Sequence, residues 1–268
     1  MKLTDQLETE YGTIAETQKE AIKGDLENTA LAEIYKTFTE SEEMKDRTYI
    51  SSNYGVYRNL IALNLGEFYS KDITQFCVMM CANDQEIKHF KDFGLFCSAL
   101  INAHYENTKQ TGEYEIILPI TNKKPSYIGY ANNGATIHIT GESGDYLGTE
   151  MKSGKIIVYG SCENHTGYML EGGEIIVEKN VGIETGSFMK AGHITIKGNA
   201  AYNLGRHMLG GRIDIYGTIE DTYISTNGGK IYHKEKRIDG KMKHAETDSE
   251  IVKQSLLTKI KNFLRGRK

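Results

Sequence analysis

GTEMKSGKIIVYG at 148–160 and GSFMKAGHITIKG at 186–198 share one glycine-framed pattern with the same internal spacing. Aligned on the leading glycine, the copies begin at Gly129, Gly148, Gly167, Gly186 and Gly205, a strict period of nineteen, with a weaker sixth copy from Tyr223. A fixed period of this length marks a solenoid, because one such unit is too small to bury a core alone. Three residues after the glycine stands Met151, Leu170, Met189 or Met208, with Asn132 and Thr226 in the end copies. Six after it stands Gly154, Gly173, Gly192, Gly211 or Gly229, with Ala135 in the first copy. Eight and ten after it come Ile137 and Ile139, Ile156 and Val158, Ile175 and Val177, Ile194 and Ile196, Ile213 and Ile215, then Ile231 and His233.

Two β-branched residues separated by one position have the period of a strand with a single buried face. Stacking the copies sets isoleucine on isoleucine in columns about 4.8 Å apart, which is a parallel β-helix of about six coils. Of the 28 glycines, 20 lie between 129 and 229, where tight corners call for positive φ or close backbone approach. The outward positions seven after the glycine are Thr136, Lys155, Glu174, His193, Arg212 and Lys230. This register sets Lys155 beside Glu174 and, eleven after the glycine, Glu178 beside Lys197. Such cross-strand pairs of opposite charge support the register more than the stability.

The pattern G-x-x-M-x-G-G-x-I-x-I-x-G, here GRHMLGGRIDIYG at 205–217, resembles the repeat of the C-terminal domain of the glutamate synthase large subunit and of the β-helix subunit of formylmethanofuran dehydrogenase. The resemblance covers about residues 127–233. It implies a right-handed β-helix and a structural role, with the chemistry on other domains or subunits.

Residues 1–110 have a different texture, poor in glycine and with apolar residues at three- and four-residue spacing. In KDFGLFCSALINAH the positions Phe93, Phe96, Cys97, Leu100, Ile101 and His104 mark one helical face. DITQFCVMMCAND offers Asp72 as a helix N-cap before Ile73, Phe76, Cys77 and Met80. Further helices are expected near 3–22, 26–44 and 54–69. The expected organisation is α+β: a helical domain at 1–110, a transition strand and loop at 111–126, the β-helix at 127–234, and a basic amphipathic helix at 248–265. Pro119 makes EYEIILPI, 113–120, an edge or entry strand. The helical domain is expected to cover one end of the stack, since an open solenoid end exposes apolar surface and unpaired strand edges; the alternative is a hinged, independent binding module.

Signals for chemistry are few. The chain has four scattered cysteines, Cys77, Cys81, Cys97 and Cys162, no C-x-x-C pair, no signal-type apolar run and nothing approaching a membrane span, and is read as cytoplasmic. Cys77 and Cys81 sit one helical turn apart, but their apolar setting favours packing over metal binding. His138, His165, His193, His207 and His233 fall at different offsets and form no column. GESGDYLG, 141–148, resembles a phosphate loop but lacks its Gly-Lys-Ser/Thr ending and following helix, so its glycines are read as corners. Arg206 with His207 makes the most polar corner, a candidate anion contact. No catalytic, cofactor-binding or metal-binding residue is assigned, and no cofactor is expected.

The last stretch, SEIVKQSLLTKIKNFLRGRK, carries a stripe of Val252, Leu256, Ile260 and Phe263, with six basic and no acidic residues from Lys253 onward. The chain's net charge of −4 therefore leaves about −10 before that point. The stripe is expected to dock on the body of the protein. The alternatives are a partner groove or an anionic membrane reached through Lys259, Lys261, Arg265 and Arg267, with nucleic acid less favoured. Two functions are open: a non-catalytic scaffold or protein-interaction protein with an unidentified protein partner, or an accessory subunit of a glutamate synthase-like or formylmethanofuran dehydrogenase-like oxidoreductase complex, with cofactors on partner chains.

Overall fold

The computed structural model describes residues 31, 35, 54–59, 61, 70–82, 90–108, 114–120, 123–220 and 226–238. Two helices, α1 (Ser70–Ala82) and α2 (Phe90–Thr108), precede one sheet of eight strands in sequential order. The strands are β1 (Glu115–Leu118), β2 (Asn133–Ile139), β3 (Ser153–Val158), β4 (Glu174–Val177), β5 (His193–Ile196), β6 (Arg212–Ile215), β7 (Lys230–His233) and β8 (Lys236–Arg237). Strands β1 to β7 pair in parallel, and from β3 to β6 each residue faces its equivalent in the next repeat. The protein is a parallel β-solenoid of about six turns.

Ile137, Ile156, Ile175, Ile194, Ile213 and Ile231 are fully buried and paired in one column. Burying each side chain contributes about 1.5–3 kcal/mol. Met151, Leu170, Met189 and Met208 line the core beside them. A further inward column, which the repeat pattern does not suggest, lies fourteen residues after the leading glycine. There Ser143, Cys162, Val181, Ala200 and Ile219 form single parallel bridges on another side of the coil. Burial pushes the Cys162 thiol up. At the adjoining corner, side-chain oxygens of Ser161, Asn180 and Asn199 accept hydrogen bonds from the backbone N–H of Asn180, Asn199 and Thr218 in turn.

The leading glycines all have φ between +63° and +73°. At Gly186 two demands coincide: φ is +71°, and an added Cβ would lie 2.4 Å from Ile213 Cδ1 of the next coil. The sixth copy's lead position, Tyr223, lies outside the described residues.

At the first coil α2 closes the stack. It differs from the expected one-sided helix, because every residue from Phe93 to His104 is buried. Its expected face packs with α1, where Phe76, Phe93 and Phe96 surround Tyr35 edge-on. The opposite stripe, Gly94, Ser98 and Asn102, meets the solenoid. Ser98 Oγ donates to Tyr127 O at 2.8 Å and accepts from Tyr130 N at 3.2 Å. Asn102 Nδ2 donates to Tyr130 O at 3.1 Å. The buried polar groups of the coil end are thus met by side chains of the helix. Helix α1 begins at Ser70, so Asp72 lies in its first turn instead of at the N-cap; there its charge still favours the helix dipole.

Strand β1 is the sheet edge and ends one residue before Pro119. At the other edge β8 turns back antiparallel on β7 through Lys234 and Glu235, both at positive φ. Residues 31, 35, 54–59 and 61 are helical, as expected. The expected helices at 3–22 and 248–265 lie outside the described residues. No helix among the described residues is long and apolar enough to cross a membrane.

Ile194→Asp would bury an unpaired charge at mid-stack and should abolish soluble folded protein on expression. Gly94→Ala would drive a Cβ to 1.9 Å from Ser126 O. It should cost about 2 kcal/mol in denaturant unfolding by prising α2 off the first coil.

Candidate functional site

Outward side chains of the sheet pair along the stack. Lys155 Nζ lies 2.9 Å from Glu174 Oε2, and Lys197 Nζ lies 2.6 Å from Glu178 Oε1, in the expected register. Lys190 and Glu171, ahead of the strands of their coils, make a further pair along the stack at 2.8 Å. Exposed pairs of this kind contribute little stability each. They leave the middle of this face nearly neutral.

One cluster on this face is denser. Asp214 points outward from β6, yet it is only 5% exposed because His193 and Arg212 close over it. His193 Nε2 lies 2.5 Å from Asp214 Oδ2, while Arg212 donates through Nε and Nη2 to the two carboxylate oxygens at 2.6 and 2.8 Å. Burial works to raise the Asp214 pKa, but the hydrogen bonds and charges of Arg212 and His193 outweigh it and hold the carboxyl below its usual range. The Arg212 guanidinium also sits 4.2 Å over the Tyr232 ring. Thr195 Oγ1 approaches the same His193 nitrogen that faces Asp214, at 3.4 Å. A relay needs the nucleophile on the other ring nitrogen. The cluster orients a histidine without aligning a nucleophile on it.

The corner that carries the leading glycines presents a second array. Tyr127, Tyr146 and His165 stack face to face in successive coils, with ring centroids 4.9 and 4.4 Å apart and interplanar angles of 4° and 7°. Tyr168 stands edge-on to both Tyr146 and His165, Phe188 packs against Tyr168, and His207 against Phe188. Tyr127, Tyr146 and His165 have φ from +61° to +64°. This conformation costs roughly 1–2 kcal/mol per residue, and ring stacking offsets part of it. Glu184 receives Arg206 Nη1 at 2.9 Å and faces His165 Nδ1 at 3.6 Å. Near the capped end, Tyr130 donates to Glu150 at 2.9 Å and packs on Tyr54. The array crosses five coils, about 19 Å at four strand spacings.

The residues singled out in the sequence fall as follows. The five histidines lie apart: His138 meets Tyr159, His165 the aromatic corner, His193 Asp214, His207 Phe188, and His233 the carbonyl of Gly217. Among the described residues no three His, Cys, Asp or Glu could hold a metal together. Cys77 turns toward Cys97 on α2, with the sulfurs 3.4 Å apart, a pairing hidden by twenty residues of sequence. Burial and the Cys77 neighbour push the Cys97 thiol well up. In the 141–148 loop, Ser143, Gly144, Tyr146 and Gly148 spend their N–H groups on Ser161, Pro125, Asn164 and Ile128 carbonyls. None of these four is left to cradle a phosphate. Arg206, at the candidate anion corner with His207, donates through Nη1 to Glu184. Lys259, Lys261, Arg265 and Arg267 lie outside the described residues.

The contacts His138 with Tyr159 and His193 with Asp214 both run diagonally in the stack, two positions past the equivalent residue of the next coil. Alignment of equivalent repeat positions does not bring such pairs together, so the sequence conceals them. Because the Asp214 carboxyl is held low, its stabilising effect is complete above its unfolded pKa near 3.9 and is lost as pH falls through the lower folded value. Asp214→Asn should therefore lower stability above about pH 5, and the deficit should shrink below about pH 4 in pH-dependent melting. Comparison with protein-family models, with curated proteins and with solved structures finds no match.

Proposed function

We propose that this chain is a non-catalytic β-solenoid scaffold that holds a protein partner along its aromatic corner. The supporting observation is the array from Tyr127 to His207, in which three tyrosines, two histidines and one phenylalanine line one edge of the stack, with Arg206 beside them on Glu184. Tyrosine, phenylalanine and arginine are enriched in protein interfaces, and tyrosine and arginine among the residues that dominate their energy. Stacking fixes their rotamers before any partner arrives, which lowers the entropy cost of binding. The ring faces of Tyr127, Tyr146 and His165 cover one another, so the corner offers edges and hydroxyls, suited to a protein surface more than to a flat ligand.

A second reading, an accessory subunit of an oxidoreductase complex with the cofactors on partner chains, draws on the repeat resembling those of glutamate synthase and formylmethanofuran dehydrogenase. Met208, Ile213 and Ile215, the pattern's large and β-branched positions, are buried here, and Gly211 has φ of +83°.

Tagged full chain and a Tyr168→Ala/Phe188→Ala variant, expressed in the native host and purified with quantitative mass spectrometry, separate these readings. A partner enriched by the native chain and reduced about tenfold by the variant is expected, equivalent to about 1.4 kcal/mol. The same capture by both chains would overturn the corner as the contact. A partner carrying flavin, molybdopterin or iron–sulfur clusters would favour the second reading.

A further inference from the structure

Ile157 on β3 and Ile176 on β4 face away from the core. They pair in register on the outer face of the sheet, stand outside the hydrophobic core and remain partly exposed. Alternation along a strand puts the residues two positions before them on the same face, and there Lys155 and Glu174 form their ion pair. Followed across the sheet from β1 to β6, that row reads Glu115, Thr136, Lys155, Glu174, His193, Arg212. Its charges have a simple symmetry. Turned end for end about the midpoint between β3 and β4, each acid falls on a base, and Thr136 falls on His193.

We propose that this outer face is the contact between two copies of the chain, related by a two-fold axis that runs along the strands between β3 and β4. Such a contact is isologous, so every pairing occurs twice. Ile157 of each copy meets Ile176 of the other, Lys155 meets Glu174, and Glu115 meets Arg212. The two ion pairs at the centre become a square of alternating sign around the four isoleucines. Other two-fold placements of the same isoleucines are opposed by charge. An axis along β3 sets Lys155 on itself, one along β4 sets Glu174 on itself, and one along the stack sets Glu174 on Glu178. Juxtaposed like charges select against these registers. The overlap of six strands about 4.8 Å apart, by about five residues of 3.3 Å, is roughly 500 Å² on each copy. Two copies therefore bury about 1,000 Å², the low end for a specific interface, and the dimer is weak and concentration-dependent. The aromatic corner lies on another part of the coil, so this contact does not rest on it.

The test is sedimentation velocity of the full chain. The native protein should pass from monomer to dimer with a dissociation constant of roughly 10–100 µM. Lys155→Glu and Glu174→Lys each oppose like charges across the axis, so either variant alone should dimerise at least tenfold more weakly. Mixed in equal amounts, the two variants set an introduced acid on an introduced base and a native acid on a native base, and association should return. A pair that acts only within one chain gains nothing from mixing. Ile157→Thr/Ile176→Thr keeps β-branched side chains on the outer face and should stay monomeric, and it decides the matter if a charge variant misfolds. A native chain that is monomeric up to about 200 µM would overturn the proposal. Undiminished dimerisation of the variants, or a mixture no more associated than its components, would overturn it equally.

Discussion

Each leading glycine leaves, inside its corner, the space that an isoleucine of the next coil fills. A Cβ at Gly129, Gly148, Gly167, Gly186 or Gly205 would fall 2.3 to 2.6 Å from Cδ1 of Ile156, Ile175, Ile194, Ile213 or Ile231. The two members of each contact belong to consecutive coils, so no coil has its final shape until the following coil has packed onto it. The isoleucine column, the corner and the strand register are therefore one constraint. Neighbour-to-neighbour coupling of this kind is what makes a solenoid fold as a unit although each repeat touches only adjacent repeats.

A stack built this way has two vulnerable ends, and the chain treats them differently. At the start, α2 presents Gly94 for close approach and Ser98 and Asn102 for the coil's polar backbone. At the finish, β8 turns back on β7 with only Lys236 and Arg237 in the strand, and a short charged strand of reversed direction is a poor template for another chain. Both devices keep the sheet from growing end to end. They leave its long corner and outer face as the surfaces open to partners, the aromatic corner proposed for a protein partner and the outer face for a second copy of the chain.

The repeat was legible because its period and its burial pattern agree: one glycine row, one large apolar row and one strand pair in every copy admit a single register. The column from Ser143 to Ile219 was not, since serine, cysteine, valine, alanine and isoleucine share no obvious property except that each fits the space. The seam was hidden for a related reason. Helical periodicity identified the face of α2 that meets α1, but Ser98 and Asn102 look like solvent residues until a coil end with unmet backbone groups lies against them. The aromatic corner was visible only in part, as histidines that refused to align. Tyr127, Tyr146 and His165 share one row, nineteen residues apart, and Phe188 and His207 share another, but Tyr168 joins the two through diagonal contacts, from Tyr146 to Tyr168 and from Tyr168 to Phe188.

The stacking register itself can be read in solution from isoleucine methyl groups. In protein labelled only at isoleucine Cδ1, a methyl NOE spectrum should link Ile137, Ile156, Ile175, Ile194, Ile213 and Ile231 as a chain of nearest neighbours, each confirmed by an Ile→Val substitution that removes one member. Absence of these contacts, or contacts that join the isoleucines in the pattern of antiparallel hairpins, would contradict the solenoid register on which the fold and both proposed surfaces rest.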